Sequence, residues 1–415
     1  MALLVVKMSE KVQQTELDLN ADRLLYLLDL YKMSREDLVT VISGKRKKFS
    51  VKDLDAILTN KKIKLPLLQK IDKLFEKGVA WYISDRNLPE KKSSSIFFRK
   101  DQFNSDLNFE AKKLTSKFEE KKFQVQALCN YINFDLKRTL KNFSIEDDPR
   151  IAARNLGSEF NEIEKKLLSK NAIKEPKKDF DYLKNYIQLL SAKNIFVFEF
   201  IENWNKKEIA NFNGFFMSPN IIVLKRQNYR REIFTLFHEL AHYLLNSEEI
   251  DELKENELDQ PKQSKTEKWC NDFAYYLLAG DYHQTIEQLE KGTKENSYHE
   301  ETVNSIYSQT RLSKLAVYTR LRIENKLSVA DYRRIYSEII DSINRDEHEK
   351  KLKKQDERQL KKELGIKQTG FAQKPILSNL FKDIVKINYF EGNIDELGLC
   401  NYLNIPPAKI EKEIY

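Results

Sequence analysis

At 415 residues, with 41% hydrophobic and 33% charged residues, the chain has room for two to four domains of roughly 150 residues and the composition of a soluble globular protein. Its net charge of +8 is mild for that length and interspersed with Glu and Asp, which excludes an overtly polybasic protein and reads first as solvated helix surface. Three scattered cysteines (Cys129, Cys270 and Cys400) exclude a disulfide framework, and no run approaches the ~20 apolar residues of a membrane helix.

Ten glycines and nine prolines are few, which predicts a helix-rich chain. The Ala2–Val6 run is too short for the apolar region of a signal peptide, so the expected location is the cytoplasm, with no membrane partner. In chain order, residues 20–43 show two helical periods, Leu24, Leu25, Leu28 and Tyr31, then Leu38, Val41 and Ile42, with Ser34 and Asp37 spaced to cap the second helix. Two short helices joined tightly match the start of a helix-turn-helix, but the basic GKRKKFSVKDL that follows makes a poor recognition helix. DNA contact and a small packing or dimerisation bundle therefore both fit this region. Lys64–Phe75 continues the helical pattern; Pro89 and a Lys/Ser run break it. Asn108–Leu140 reads as a long charged helical region, and a further helix is expected from residue 147, with Pro149 in its first turn.

The character changes near residue 193. NIFVFEFI (194–201) and NIIVL (220–224) read as strands, with a turn expected at Asn213-Gly214 between them. The segment Arg230–Leu245, RREIFTLFHELAHYLL, then places His238 and His242 one helical turn apart on one face with Glu239 between them, the H-E-x-x-H pattern. Two imidazoles so placed can grip one metal ion, for which Zn2+ is the expected species, and Glu239 can act as general base on a zinc-bound water. The competing reading is a pair of histidines satisfied in a packed core. A third ligand is required; His283, His299, Glu248, Glu249 and Glu267 are candidates, and Glu267 is favoured because it opens the next apolar helix, EKWCNDFAYYLLAG (267–280). A carboxylate there is also favoured by the helix macrodipole, which is compatible with ligation. Asn271, one turn on, could orient a ligand; Tyr275, Tyr276 and His283 are conceivable oxyanion donors. The stretch between the two helices, 247–265, reads as an exposed loop suited to controlling access. Paired amphipathic helices are expected at 313–327 and 329–343, a solvated charge run at 344–367, and a C-terminal helical core with helix-turn-helix-like spacing at Leu397, Cys400, Leu403 and Ile410.

FTLFHELAHYLL followed by E-x-x-C-N-D-F-A-Y-Y-L-L resembles the ImmA/IrrE family of zinc metallopeptidases, over about residues 180–280. The family shows F-T-x-x-H-E-x-x-H and then E-x-x-A-N-x-F-A-x-x-L-L; Cys270 stands here for the usual Ala, and Leu278-Ala279-Gly280 departs from the common L-M-P ending. The resemblance implies a mostly α-helical α+β protein with a gluzincin-like core and a small sheet. It also implies His238, His242 and Glu267 as ligands, Glu239 as base, and limited proteolysis of a transcriptional repressor or antitoxin. Longer members carry an N-terminal Xre-like helix-turn-helix region. On this basis the expected organisation is a helix-turn-helix region at 1–85, a helical connection at 86–175, the peptidase at 176–283 and a helical domain at 284–415, possible as a homodimer. The alternative is a DNA- or repressor-binding protein, or a toxin of a toxin–antitoxin pair, whose zinc site is structural or weakly active.

Overall fold

A computed structural model describes residues 16–31, 33–43, 49–86, 107–202, 209–248, 264–365 and 374–414. The basic stretch 44–48, the Pro89 break and residues 249–263 of the acidic loop lie outside them. The fold is α+β and mostly helical, with two small sheets. It comprises two compact units, Met1–Glu119 and Glu120–Tyr415.

In the first unit the strands β1 (Glu16–Asp18) and β2 (Lys62–Lys64) pair antiparallel. Around them fold α1 (Ala21–Leu30), α2 (Arg35–Ile42), α3 (Val51–Asn60), α4 (Leu65–Phe75) and α5 (Val79–Ile83). The expected Ser34–Asp37 cap is present as a reciprocal box, and Ser50–Asp53 repeats it at the start of α3, so each helix begins with two otherwise orphaned N–H groups satisfied. Leu24, Leu27, Leu38, Leu54, Ile63, Leu68, Ile71 and Phe75 form the core.

In the second unit the helical region expected from Asn108 is helix only as α6 (Phe109–Tyr131), whose turns through Glu119 belong to the first unit; residues 132–148 are irregular. Asp148 caps α7 (Pro149–Ser169), with Pro149 in the first turn as expected. After α8 (Asp179–Ser191) comes a three-stranded sheet in which β5 (Ile221–Lys225) lies between β3 (Phe196–Phe200), parallel to it, and β4 (Gly214–Met217), antiparallel to it. Gly214 thus begins a strand rather than forming the expected turn. The reversal falls at residues 218–220 instead, and buried Phe215, Phe216 and Met217 pull the β4 segment into the core. The outer side of β3 is taken by residues 376–378: Glu199 and Ile376 exchange hydrogen bonds, and Ser378 N–H donates to the Val197 carbonyl. The outer side of β4 pairs with no strand among the described residues.

Against this sheet lies α9 (Tyr229–Leu245), buried on nearly every side, and against α9 lies α10 (Lys265–Ala279). The chain continues through α11 (Tyr282–Gln288), α12 (Glu300–Gln309), α13 (Lys314–Ile323) and α14 (Val329–Glu363). The helix expected at 329–343 continues without a break into the charge run as far as Glu363, because Lys/Glu-rich sequence is good helix former even with no apolar face to bury. The C-terminal pattern resolves into α15 (Asn379–Phe390), α16 (Glu396–Leu403) and a short α17 (Ile410–Ile414).

Arg230 anchors the start of α9. It donates to the carbonyls of Tyr307, Thr310 and Leu312 and pairs with Asp179 at 2.9 Å, all while buried. Arg230→Ala leaves three carbonyls without their donor and Asp179 with Arg311 as its remaining partner, which is expected to cost on the order of 3 kcal/mol; chemical denaturation of the two proteins measures it.

Candidate metal centre

The pattern His238-Glu239-x-x-His242 sits in the second half of α9. Asn228 caps the helix start through its Oδ1, and Asn246, in the left-handed conformation, ends it by donating its N–H to the His242 carbonyl. The two imidazoles therefore stand on a helix fixed at both ends. Their Nε2 atoms lie 3.3 Å apart. On α10 the Ser264 hydroxyl accepts from the backbone N–H of Glu267 at 3.1 Å. The Glu267 carboxylate turns toward α9 instead of back to the cap, with one oxygen 3.2 Å from His238 Nε2 and the other 3.2 Å from His242 Nε2.

The three side chains are the one group of candidate metal-binding residues among the described residues. They are shielded, with side-chain exposures of 9% for His238, 1% for His242 and 12% for Glu267, and the neighbouring Glu239 is 3% exposed. A tetrahedral centre with ligand bonds of about 2.0–2.1 Å has edges of about 3.3–3.4 Å; the 3.3 Å between the two Nε2 atoms matches that edge, and each faces one oxygen of the Glu267 carboxylate at 3.2 Å. Hydrogen bonding satisfies the arrangement less well, because two Nε2 atoms facing each other share at most one proton between them. A single cation satisfies all three groups. Burial raises the pKa of Glu267, but its contacts with His238 and His242 and their charge win and hold it below the ordinary carboxylate range. An anionic carboxylate facing two imidazoles is the donor set that a borderline-soft divalent cation such as zinc takes.

The remaining sequence candidates lie elsewhere. Glu248 is buried and accepts from the Ser218 N–H; His299 Nε2 lies 3.0 Å from the Glu290 carbonyl; Glu249 is outside the described residues. Of the conceivable oxyanion donors, Tyr276 has its hydroxyl bonded by Arg150 and Arg320, and Tyr275 has its ring under Arg320 at 4.4 Å. His283 Nδ1 is 2.7 Å from the Gly280 carbonyl. These contacts tie all three to the far part of α10. Asn271 is half-buried one turn beyond Glu267. Cys270 is fully buried, in keeping with the small residue it replaces, and Gly280, at φ +52°, ends α10 where the departure from L-M-P falls.

Two residues of consequence were not read from the sequence. Gly214 brings the β4 backbone against Thr235 and Glu239. Glu232, two turns before Glu239 on the same face of α9, is wholly buried, its Oε1 has no hydrogen-bond partner, and burial pushes its pKa up to about 7 against weaker opposing effects from the Gln227 N–H and Arg226. Spacing relative to Glu239 was the available signal for Glu232, but a glutamate in the first turns of a helix reads by default as solvated.

A family model described as the IrrE N-terminal-like domain of peptidase family M78 matches residues 192–321. No curated protein and no solved structure matches the chain. The matched region spans less than a third of the sequence, begins just before β3 and ends within α13, past the end of α10. Within it, Arg230 and the Arg320–Asp272 pair tie α12 and α13 to the two helices of the centre. The match supports the ImmA/IrrE family and a metallopeptidase-type function for this region.

Glu232 also gives the fold a pH dependence. With a folded-state pKa raised to about 7, the native protein holds this proton over a range where the unfolded chain, ionising near an ordinary glutamate value, has lost it. Stability from this residue is full below about pH 4.5 and falls as pH rises toward about 7, by at most on the order of 3 kcal/mol. Glu232→Gln is expected to flatten that decline. Thermal unfolding at pH 5 and pH 8 should show the variant gaining on the wild type at the higher pH.

Proposed function

We propose that the chain is a zinc-dependent endopeptidase that makes a limited, regulatory cut in a partner protein such as a transcriptional repressor or antitoxin. The observation that carries this reading is the convergence of His238 Nε2, His242 Nε2 and the Glu267 carboxylate to mutual separations of 3.2 to 3.3 Å beside Glu239. In this reading His238, His242 and Glu267 hold the metal. When bound, zinc supplies Lewis-acid polarisation of a carbonyl and lowers the pKa of water.

The chain's own residues do the rest. Glu239 receives at its carboxylate the proton of the attacking water, holds it away from solvent, and returns it to the departing amide nitrogen. Its near-complete burial keeps that proton from exchanging freely with bulk water. β4 is the sheet edge to which an extended peptide would add, since β3 is already occupied by residues 376–378 and β4 touches the Glu239 side chain. β4 is itself buried along its length, so a peptide reaches it only after a local displacement. That suits a cut made on demand better than general proteolysis. The first unit, with its Ser-capped helices α2 and α3 following α1, is the part to which recognition of a repressor or of DNA is assigned.

His238→Ala and Glu267→Ala are expected to lose stoichiometric zinc, whereas Glu239→Gln keeps it. Zinc at a hundred times its Kd stabilises a folded protein by about 2.7 kcal/mol, so a chelator should lower the Tm of wild type and Glu239→Gln but leave that of His238→Ala unchanged. Incubation with the product of the neighbouring gene should yield discrete fragments with wild type and none with Glu239→Gln. Cleavage by Glu239→Gln at the wild-type rate would sink the reading.

A further inference from the structure

The structure assigns Gly214 as a positioning residue for Glu239. Gly214 sits in regular strand, opposite Leu224 on β5, and is not one of the glycines with positive φ. Its backbone therefore suits any L residue, and what requires glycine is space. A Cβ at this position would lie 2.8 Å from Thr235 Cγ2, 2.9 Å from the Val223 carbonyl oxygen and 3.2 Å from Glu239 Cγ. Carbon atoms in contact prefer about 3.5–4.0 Å, so all three neighbours occupy the volume a side chain would need.

What fixes this slot is visible on each side. The Val223 carbonyl belongs to the central strand. Thr235 is β-branched and stiff at χ1; its Oγ1 donates to the Arg231 carbonyl at 3.0 Å and accepts from Gln227 Nε2 at 3.3 Å. β4 cannot retreat at its entry, where the Lys225 N–H donates to the Asn213 carbonyl at 2.8 Å. There the buried Lys225 ammonium also donates to the Ala210 carbonyl at 2.8 Å and pairs with buried Glu202 at 2.6 Å. At its exit the Ser218 N–H is held by the Glu248 carboxylate. Glu239 alone among the three neighbours has a long side chain with several rotatable bonds. The bare backbone of Gly214 is thus the wall against which the Glu239 methylenes lie, and the position of the carboxylate follows from it.

The consequence for catalysis rests on the peptidase reading above; the geometric role does not. The test is Gly214→Ala, with Gly214→Ala/Thr235→Ala as a second variant that relieves the tightest side-chain contact while keeping the one on Glu239, in case the single variant does not fold. Three measurements are made: zinc affinity by chelator competition, a crystal structure of the variant, and kcat and KM on a quenched-fluorescent peptide. The expected result is zinc affinity close to wild type, because the ligands stand on α9 and α10, with the Glu239 carboxylate displaced relative to them. A displacement of about 1 Å should lower kcat about a hundredfold with little change in KM. An unmoved Glu239, an unchanged kcat, or zinc affinity falling in step with kcat would each overturn the assignment. If the wild type cleaves no peptide, the peptidase reading is what fails, and the crystal structure with the zinc affinity still decides the role of Gly214.

Discussion

The feature around which the second unit is built is the meeting of two imidazoles from one helix with a carboxylate from another. His238 and His242 are brought together by helical spacing alone, at no cost beyond forming α9. Glu267 comes from a different helix, and its oxygens must arrive within a fraction of an ångström of the right place. That demands a rigid α9–α10 pair, and the surroundings supply it. Arg230 binds the α12–α13 turn to the start of α9, and Arg320 on α13 binds Asp272 on α10 at 2.6 Å. Trp269 donates its indole N–H to the Asp147 carbonyl at 2.7 Å while stacking on Phe273. Each of these is a polar anchor in an apolar setting, where a hydrogen bond fixes direction as well as contributing energy.

The sheet serves the same end from the other face of α9. Three strands need an apolar face packed on a helix to be stable, and α9 provides that surface. β5 is sheltered between its neighbours, and β3 is closed by the returning segment 376–378 with Glu199 paired to Arg226. Only β4 keeps an outer side with no strand partner among the described residues, and it is the strand pressed closest to Glu239. Closing one edge and burying the other beside Glu239 is also a defence, because an unpaired edge is an aggregation hazard unless it is buried.

Local signals carried the legible part of this protein. Helix periods, Ser caps, the first-turn proline at Pro149 and the one-turn spacing of two histidines all act over a few residues, and the structure places α1, α2, α4, α7, α9 and α10 where those signals pointed. Glu267 was reachable because it opens a helix. Gly214 was misread because Asn-Gly is a strong turn signal, whereas the apolar run after it, drawn into the core, decided for a strand. The Arg230 clamp was not legible, because its partners lie 50 to 80 positions away. Glu232 left only its seven-residue spacing from Glu239, and its meaning comes from burial, which local sequence does not carry.

A site built this way carries a tension between protection and use. The low exposure of Glu239 and β4 strengthens every electrostatic interaction around that carboxylate and shields a strand edge. On the peptidase reading the same burial keeps a peptide out, and opening has to break contacts at the ends of β4 without loosening the α9–α10 pair that sets the His238–His242–Glu267 spacing. The anchors divide along that line. Arg230 and Asp272 hold helix to helix and Trp269 holds α10 to the segment before α7, while the Lys225–Glu202 pair and the Glu248–Ser218 contact lie at the two ends of β4. The two sets share no residue, so on the peptidase reading releasing the contacts at the ends of β4 leaves in place those that set the His238–His242–Glu267 spacing.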